Sequence, residues 1–497
     1  MNPQDPQSIN PTQSPVQSAP PLQPSNMQQP SLAPVKKKGI FSFLKKDAKS
    51  DSQVVSPQFA APSIKKGPPK LLLFVIVLVV ILGVLLAILM SQNKTEDYSV
   101  PVDTEGTIVW WGLVDESIYE PLISDFESKN PNTKIEYVKQ STINYRERLT
   151  NSLARGEGPD IFSFHNSWIP MFRTELDIIP SFVMETSEFE ETYYPVAVAD
   201  LETKQGILGI PLEYDGLALY INEDIFASAG KSVPQTWDQL KDLAKELTQR
   251  DARGIIIQSG ASLGLTENID HWQDIVAFML FQNHATPSNP VGAQARDALL
   301  YYARFKNDNL WSDQLPSSTI AFANGDVAMY FGTIERAKEI LAINPNLRFK
   351  TTTLPQLRRN DPSEKDVSYA SYWVQGVWKR SASRGVAWRF LDYLSSREAL
   401  QEIYRNTEER ELIGDPYPRQ DMAVLLRDDR IAGSVVANAP YARSWYLAGL
   451  TYDGTTGINS QLGAVYSSVL GNGDLNSFET LSKKVREVLA KYGLLAN

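Results

Sequence analysis

The 497-residue chain contains no cysteine and only three histidines. The absence of cysteine excludes disulfides, thiolate metal sites, cysteine nucleophiles and a lipid-modified cysteine as membrane anchor. With only His165, His271 and His284 available, a histidine-rich metal centre is not expected, and no cofactor is predicted. The chain also lacks a P-loop and the H-E-x-x-H motif of zinc proteases. Its length is sufficient for two or three structural units.

Charge is distributed unevenly along the chain. Residues 1–70 carry nine lysines against three aspartates, whereas residues 105–497 carry 38 basic and 52 acidic side chains. A body this acidic repels phosphate backbones, so nucleic acid is not expected as a partner. The basic excess lies instead beside the longest apolar run of the chain.

That apolar run, Leu71–Met90, divides the chain into two parts. Its twenty residues carry no charge, and as a helix they would extend about 30 Å, the thickness of a bilayer's hydrocarbon core. Lys65, Lys66 and Lys70 precede the run, and basic residues flank the cytoplasmic end of membrane helices. The sequence therefore predicts a single-pass, uncleaved signal anchor with a cytoplasmic N-terminus and an extracytoplasmic C-terminal body.

The other N-terminal segments are polar. Residues 1–35 contain nine prolines and seven glutamines, a composition that predicts a disordered cytoplasmic tail and that also occurs in ligands of proline-reading domains. Residues 36–70 form a basic juxtamembrane segment, whose lysines are attracted to anionic lipid. Residues 91–104 are predicted to tether the membrane anchor to the body, residues 105–497.

The body alternates strand and helix signals. Thr107–Trp111, Lys134–Val138 and Asp160–Phe164 are predicted strands, separated by two amphipathic helical patterns. This β-α-β-α-β order predicts an α/β fold with a parallel sheet and right-handed crossovers. Further along, Thr236 and Gln239 have the spacing of a capping box at the start of a helix.

Four stretches of the body match one family pattern in order and spacing. They are IVWWGLVDESIYEPLISDFESKNPNTKIEYV (108–138), LARGEGPDIFSF (153–164), GILGIPLEYDGLALYINEDIFASAGKSVPQTWDQLKDLAKEL (206–247) and AFANGDVAMYFG (321–332). Together with APYARSWY (439–446), they resemble the family 1 extracellular solute-binding proteins of ABC importers, of the sugar-binding, maltose-binding-protein-like type. The resemblance covers residues 105–497. It implies a two-lobed periplasmic-binding-protein-like fold of type II, with the solute held in the cleft between the lobes.

The resemblance also implies lobe boundaries and partners. One lobe would contain about 105–212 and 354–385, and the other 213–353 and 386–497, with hinges near Pro211 and Leu354. The partners would be a mono- or oligosaccharide and the permease subunits of an ABC transporter. No catalytic chemistry is implied.

The same resemblance indicates candidate ligand-binding residues. Asp215 follows the predicted hinge, where the family places an acidic residue that binds solute hydroxyls; the alternative is a turn aspartate before Gly216. Trp445 and Tyr446 match an aromatic pair that stacks on sugar rings, with core packing as an equal alternative. The remaining candidates are Phe164, Asn166 and Trp168 after the third strand and, with core packing favoured for each, Asp115, Tyr214, Trp272, Tyr330 and Trp373.

Three other classes of function stay open. Residues 260–264 fit the G-x-S-x-G pattern of a serine hydrolase around Ser262. The histidines that follow Ser262 lie within 22 residues of it, closer than a catalytic triad normally places them. The other two classes are a sensory module whose tail signals ligand occupancy, and an adhesin that holds polysaccharide without importing it.

Overall fold

The computed structural model describes residues 105–357, 364–472 and 478–495. The predicted tail, basic segment, membrane anchor Leu71–Met90 and tether all lie outside these residues. In the described part of the chain, no helix is both long enough and apolar enough to cross a membrane.

Strands and helices alternate through the described residues. The strands are β1 Gly106–Gly112, β2 Thr133–Lys139, β3 Ile161–His165, β4 Glu202–Thr203, β5 Gly206–Ile207, β6 Ala218–Asn222, β7 Gln249–Arg250, β8 Ile256–Ala261, β9 Val327–Gly332, β10 Phe349–Thr352, β11 Ser368–Tyr369, β12 Trp373–Val377 and β13 Ala442–Arg443. The α-helices are α1 Glu120–Lys129, α2 Tyr145–Arg155, α3 Ile169–Phe172, α4 Thr186–Thr192, α5 Pro195–Leu201, α6 Glu223–Ala229, α7 Trp237–Leu247, α8 Trp272–Gln282, α9 Gly292–Asn307, α10 Ser318–Ala323, α11 Glu335–Ile343, α12 Arg384–Leu394, α13 Arg397–Glu411, α14 Gly433–Asn438, α15 Ile458–Asn472 and α16 Phe478–Lys491.

The first sheet has the strand order β12-β3-β1-β2. Strand β1 is parallel to both β2 and β3, which confirms the predicted β-α-β-α-β unit, and β12 joins the edge in the antiparallel direction. Every residue of β3 is buried, as expected for a strand covered on both faces. The fully buried Trp110 of β1 packs edge-on against Tyr137 and Phe390.

The second sheet has the order β10-β6-β9-β8-β7. Strands β8 and β9 are parallel, and the other neighbours are antiparallel. Helix α7, which packs against this sheet, begins with the predicted capping box. The backbone N–H of Gln239 donates to Thr236 Oγ1, and the backbone N–H of Thr236 donates to Gln239 Oε1 at 3.2 Å. This confirms the helix start read from the sequence.

Two extended segments run side by side where the chain passes between the sheets. Ile210 forms an antiparallel bridge with Gln375, and Gly216 forms one with Ala370. A Cβ atom on Gly216 would lie 2.8 Å from the carbonyl oxygen of Tyr369, so the two segments can approach this closely only with glycine at that position. Asp215 is therefore placed at the junction of the two sheets.

Helix α12 packs on the first sheet, although the sequence assigned residues 386–497 to the second lobe. Phe390 contacts Trp110 of β1, and Trp388 Nε1 donates a hydrogen bond of 3.0 Å to Asp177 Oδ2. An apolar helix face shows that one side is buried but contains no information on which sheet it covers. The other lobe boundaries remain predictions.

Candidate functional site

A cavity of about 240 Å³ lies between the two sheets. One wall is formed by residues at the carboxyl ends of β1 and β3 and by β12, and the other by the loop after β9 and residues 449–452. Residues 212–215, which follow the predicted hinge at Pro211, also line it. Because open α/β sheets bind ligands at the carboxyl ends of their strands, this cavity is the candidate functional site.

Four of the eleven residues that the sequence singled out line this cavity, namely Asp115, Tyr214, Asp215 and Trp373. Trp373 is partly exposed, and its ring centroid lies 5.3 Å from that of His165 in an edge-on contact. A partly exposed indole in such a cavity can stack on the C–H face of a sugar ring.

Asp215 makes three backbone hydrogen bonds. Its Oδ1 accepts the N–H groups of Gly216 and Ile334 at 2.6 and 2.7 Å, and its Oδ2 accepts that of Glu335 at 3.1 Å. The last two amides begin helix α11, where backbone donors have no partner within the helix. Burial raises the pKa of Asp215 to about 7, although these hydrogen bonds act to lower it. Asp215 thus ties the segment after the predicted hinge to α11, and Oδ2 retains capacity to accept a solute hydroxyl.

A cluster of ion pairs lies next to Asp215. Lys338 Nζ is 2.7 Å from Glu411 Oε2 and 2.6 Å from Asp415 Oδ1. Burial lowers the pKa of Lys338, but the two carboxylates outweigh it and raise the pKa overall. Burial also raises the pKa of Asp415 and holds that of Glu213 well above its usual range. The cluster thus places the carboxyl groups of Glu213, Glu411 and Asp415 near the ammonium group of Lys338.

Acidic side chains outnumber basic ones in the lining of the cavity. The lining contains six carboxyl groups, those of Asp115, Glu213, Asp215, Glu335, Glu411 and Asp415, and three cations, Lys139, Arg336 and Lys338. Because burial raises the pKa of Glu213, Asp215 and Asp415, these three retain a proton to a higher pH than an exposed acid does. Each cation has an acidic partner: Lys139 lies 3.2 Å from Asp115, and Arg336 lies 2.5 Å from Glu339. The described lining therefore offers hydrogen-bond acceptors in excess and contains no unpaired cation.

His165 contributes a neutral group to the first wall. Its Nδ1 lies 2.7 Å from Ser167 Oγ, and its Nε2 lies 3.1 Å from Ser371 Oγ. Burial lowers the pKa of His165 to about 3, so the imidazole is uncharged at physiological pH. Held by two serines, the ring provides a fixed edge against which Trp373 packs.

The other seven predicted residues do not line the cavity. Phe164, Trp168, Trp272 and Tyr330 are buried in the core. Asn166 is also buried, and its Nδ2 donates to Asp200 Oδ2 at 2.9 Å. Trp445 and Tyr446 pack on each other with ring centroids 5.9 Å apart, and Trp445 meets Tyr466 edge-on. A ligand-binding role for these seven stays a prediction.

The G-x-S-x-G pattern serves close packing. A Cβ atom on Gly260 would lie 2.1 Å from the carbonyl oxygen of Ala244, so α7 can lie on β8 only because residue 260 is glycine. Gly264 has a φ of +102°, which favours glycine. Ser262 is fully buried, and its Oγ has no hydrogen-bond partner among the described residues. Without an oriented base, this serine lacks the activation that a nucleophile requires.

The sequence interpretation missed several polar cavity residues, among them His165, His271, Arg336 and Lys338. Their positions just after predicted strands could have identified some of these residues from the sequence. His165 ends the buried strand β3, and Arg336 and Lys338 begin the helix that follows the buried strand β9. His271 had no such signal, because it precedes a helix.

Residues 110–401 match the family of bacterial extracellular solute-binding proteins. The chain belongs to this family. A Brucella abortus protein described as a binding protein is 22% identical over 306 residues, which cover 58% of this solute-binding protein and 71% of the relative. YcjN of Escherichia coli, described as a periplasmic-binding protein of an ABC transporter, is 22% identical over 225 residues, covering 43% of this chain and 51% of YcjN.

Solved structures share the fold of this solute-binding protein. A solute-binding protein of Thermotoga lettingae bound with α-D-tagatose has a TM-score of 0.60 at 20% identity, covering 78% of this chain and 100% of the other. The sugar-binding protein MalE of Xanthomonas citri has a TM-score of 0.62 at 20% identity, with coverages of 78% and 98%. These likenesses show the two-lobed α/β fold. Because the family binds solutes without chemical conversion, the chain is a binding protein and not an enzyme.

Proposed function

We propose that this solute-binding protein captures a neutral carbohydrate in the cavity between its lobes and delivers it to an ABC permease. The observation that carries the proposal is the lining itself, with acceptors in excess around the partly exposed indole of Trp373. Carboxylates accept the hydroxyl donors of a sugar, and an indole face suits its C–H groups. The sugars bound by structural relatives, among them α-D-tagatose and maltotetraose, support the same class of solute.

The charge of the cavity argues against acidic solutes. A uronate or a sugar phosphate would bring its negative charge into a lining with twice as many acidic side chains as basic ones, while Lys139, Arg336 and Lys338 are already engaged by acidic partners. Like charges at such distances repel strongly in a partly buried site. A neutral sugar avoids this repulsion.

Delivery requires two arrangements of the lobes. Cavity residues come from both sheets. A solute that contacts both sheets binds more tightly to the closed arrangement of the lobes than to the open one, and it therefore stabilises the closed arrangement. We propose that the permease recognises this closed arrangement. We also propose that Leu71–Met90 anchors the chain in the membrane, which keeps the binding domain, residues 105–497, outside the cytoplasm and near the permease.

Thermal unfolding of the full chain tests the proposed solute class. The probes are maltotetraose, mannotriose and D-tagatose, with glucuronate, glucose 6-phosphate and arginine as comparison solutes. A neutral sugar present at 100 times its Kd should add about 2.7 kcal/mol to the free energy of unfolding and raise the Tm. If the comparison solutes raise the Tm and none of the neutral sugars does, the carbohydrate proposal is wrong.

A further inference from the structure

A second histidine lies in the wall opposite His165. His271 immediately precedes helix α8, lines the cavity and is only 2% exposed. Its Nδ1 lies 3.2 Å from Asp274 Oδ2, one helical turn further along. Its Nε2, on the other side of the ring, has no hydrogen-bond partner among the described residues.

Asp274 determines which ring nitrogen of His271 carries the proton. The same Asp274 Oδ2 accepts the backbone N–H of Gly449 at 2.9 Å. Because this oxygen already acts as an acceptor towards Gly449, we assign it the same role towards the ring, with a proton on Nδ1 of His271. In the tautomer with its single proton on Nδ1, the ring has a lone pair at Nε2, which can accept one hydrogen bond.

An unpaired donor lies in the lining as well. The two Nη atoms of Arg336 are engaged by Glu339 and Glu335, but its Nε is buried and has no hydrogen-bond partner in the described part of the chain. An unpaired buried acceptor and an unpaired buried donor each disfavour the arrangement that contains them. A hydroxyl group can relieve both, since it donates and accepts, whereas an ionised carboxylate has no proton for Nε2 of His271.

We infer that His271 and Arg336 form a subsite that selects a solute hydroxyl group; this inference rests on the proposed function. The hydroxyl donates to Nε2 of His271, and a hydroxyl oxygen of the same solute accepts from Nε of Arg336. Asp274 is a positioning residue, which holds the ring and sets its tautomer without contacting the solute. The subsite thus requires that the solute carry a hydroxyl group, which is a narrower requirement than that the solute be uncharged.

Access to the two nitrogens requires a small movement of the wall. Both atoms are covered by neighbouring groups. Residues 449–452 lie in the same wall, and Leu450 and Tyr452 have φ values of 54° and 55°, in the left-handed region that side chains other than glycine rarely adopt. We expect this strained segment to be the part of the wall that moves when a solute enters.

Sugar affinity of two His271 variants tests the subsite, with calorimetric titration of the full chain by maltotetraose, mannotriose and D-tagatose. In His271→Asn, the amide nitrogen is as many bonds from Cβ as Nδ1 and can still donate to Asp274, but nothing replaces Nε2. Asparagine also suits the N-cap position that residue 271 occupies. We expect Asn to weaken affinity roughly three- to tenfold. In His271→Gln, the amide reaches the position of Nε2 and should restore part of the loss.

The matched control is His284→Asn, at an exposed histidine outside the cavity, and it should leave affinity unchanged. If a probe binds the parent chain and His271→Asn binds it equally well, the subsite is overturned while the proposed function stands. If no probe binds the parent chain, the proposed function fails and the subsite fails with it.

A measurement on the parent chain is independent of how the variants fold. Because the chain has three histidines, ¹⁵N-histidine labelling gives a spectrum simple enough to assign. Addition of a bound probe should move the unprotonated-nitrogen resonance of His271 towards that of a hydrogen-bonded acceptor and leave His284 unchanged. A His271 resonance that does not move on saturation would overturn the subsite.

Discussion

Asp215 accepts three backbone amides and also lines the cavity, so its ionisation affects the contact between the segment after the predicted hinge and helix α11. Its pKa is about 7 in the folded chain, against an ordinary value of 3.8. Between these two values the folded chain retains a proton that the unfolded chain has released. The stability that this group contributes therefore falls as the pH rises through that window, and it is lowest above pH 7.

Asp215→Asn removes this pH dependence, because the amide never ionises. Between pH 5 and pH 8 the free energy of unfolding of the parent chain should fall relative to that of the variant by about 1–3 kcal/mol. Urea unfolding of both chains at the two pH values measures the difference. A difference that stays constant, or that grows in favour of the parent at high pH, would contradict the assignment.

The sequence could predict the role of a single residue only where that role depends on residues nearby in the chain. Asp215 was identified because it follows a hinge pattern, yet its partners Ile334 and Glu335 lie 119 and 120 residues away. Asp274, which orients His271, likewise contacts Gly449 at a separation of 175 residues. Trp445 and Tyr446 matched a family motif in the sequence, but their packing depends on distant side chains such as Tyr466.

Single elements were predicted well, because their signals are local. The parallel β-α-β-α-β unit and the capping box at Thr236 both follow from residue patterns within a few positions. The packing of α12 on the first sheet did not follow, because that contact joins Phe390 to Trp110 across most of the chain. The G-x-S-x-G motif shows the same limit: its glycines are explained by contacts with helices α7 and α9, including Gly264 against Lys306 of α9.

Two substitutions in this motif test whether its residues serve packing. A Cβ at Gly260 would overlap the backbone of Ala244, so Gly260→Ala should push α7 from β8 and lower the free energy of unfolding by about 1–3 kcal/mol. Ser262→Ala removes a buried hydroxyl that has no partner in the described structure, so it should change stability by less than about 1 kcal/mol. Denaturant unfolding measures both. Loss of sugar binding in Ser262→Ala without loss of stability would show that this interpretation of the motif is wrong.

At the scale of the whole molecule, the two proposed functions, solute binding and membrane anchoring, belong to separate parts of the chain. The family fold accounts for the cavity and lies within the region that the structure describes, whereas the proposed anchor precedes that region. A chain without cysteine cannot carry a lipid-modified cysteine, and we propose that Leu71–Met90 anchors it instead. Anchoring would raise the concentration of the solute-loaded domain near the permease without changing its affinity for the solute.

Charge placed in the proposed anchor should detach the chain from membranes. In Val79→Asp/Val80→Asp, each aspartate near the helix centre adds about 2.5–3.5 kcal/mol to the cost of insertion. The parent chain, expressed with its membranes, should resist extraction by alkaline carbonate, whereas the variant should appear in the soluble fraction. Val54→Asp/Val55→Asp, the same change in the polar segment before the anchor, should remain in the membrane, and both variants should bind sugar as the parent does. Retention of the Val79/Val80 variant after the carbonate wash would contradict the anchor, because a surface-bound chain does not depend on those two side chains.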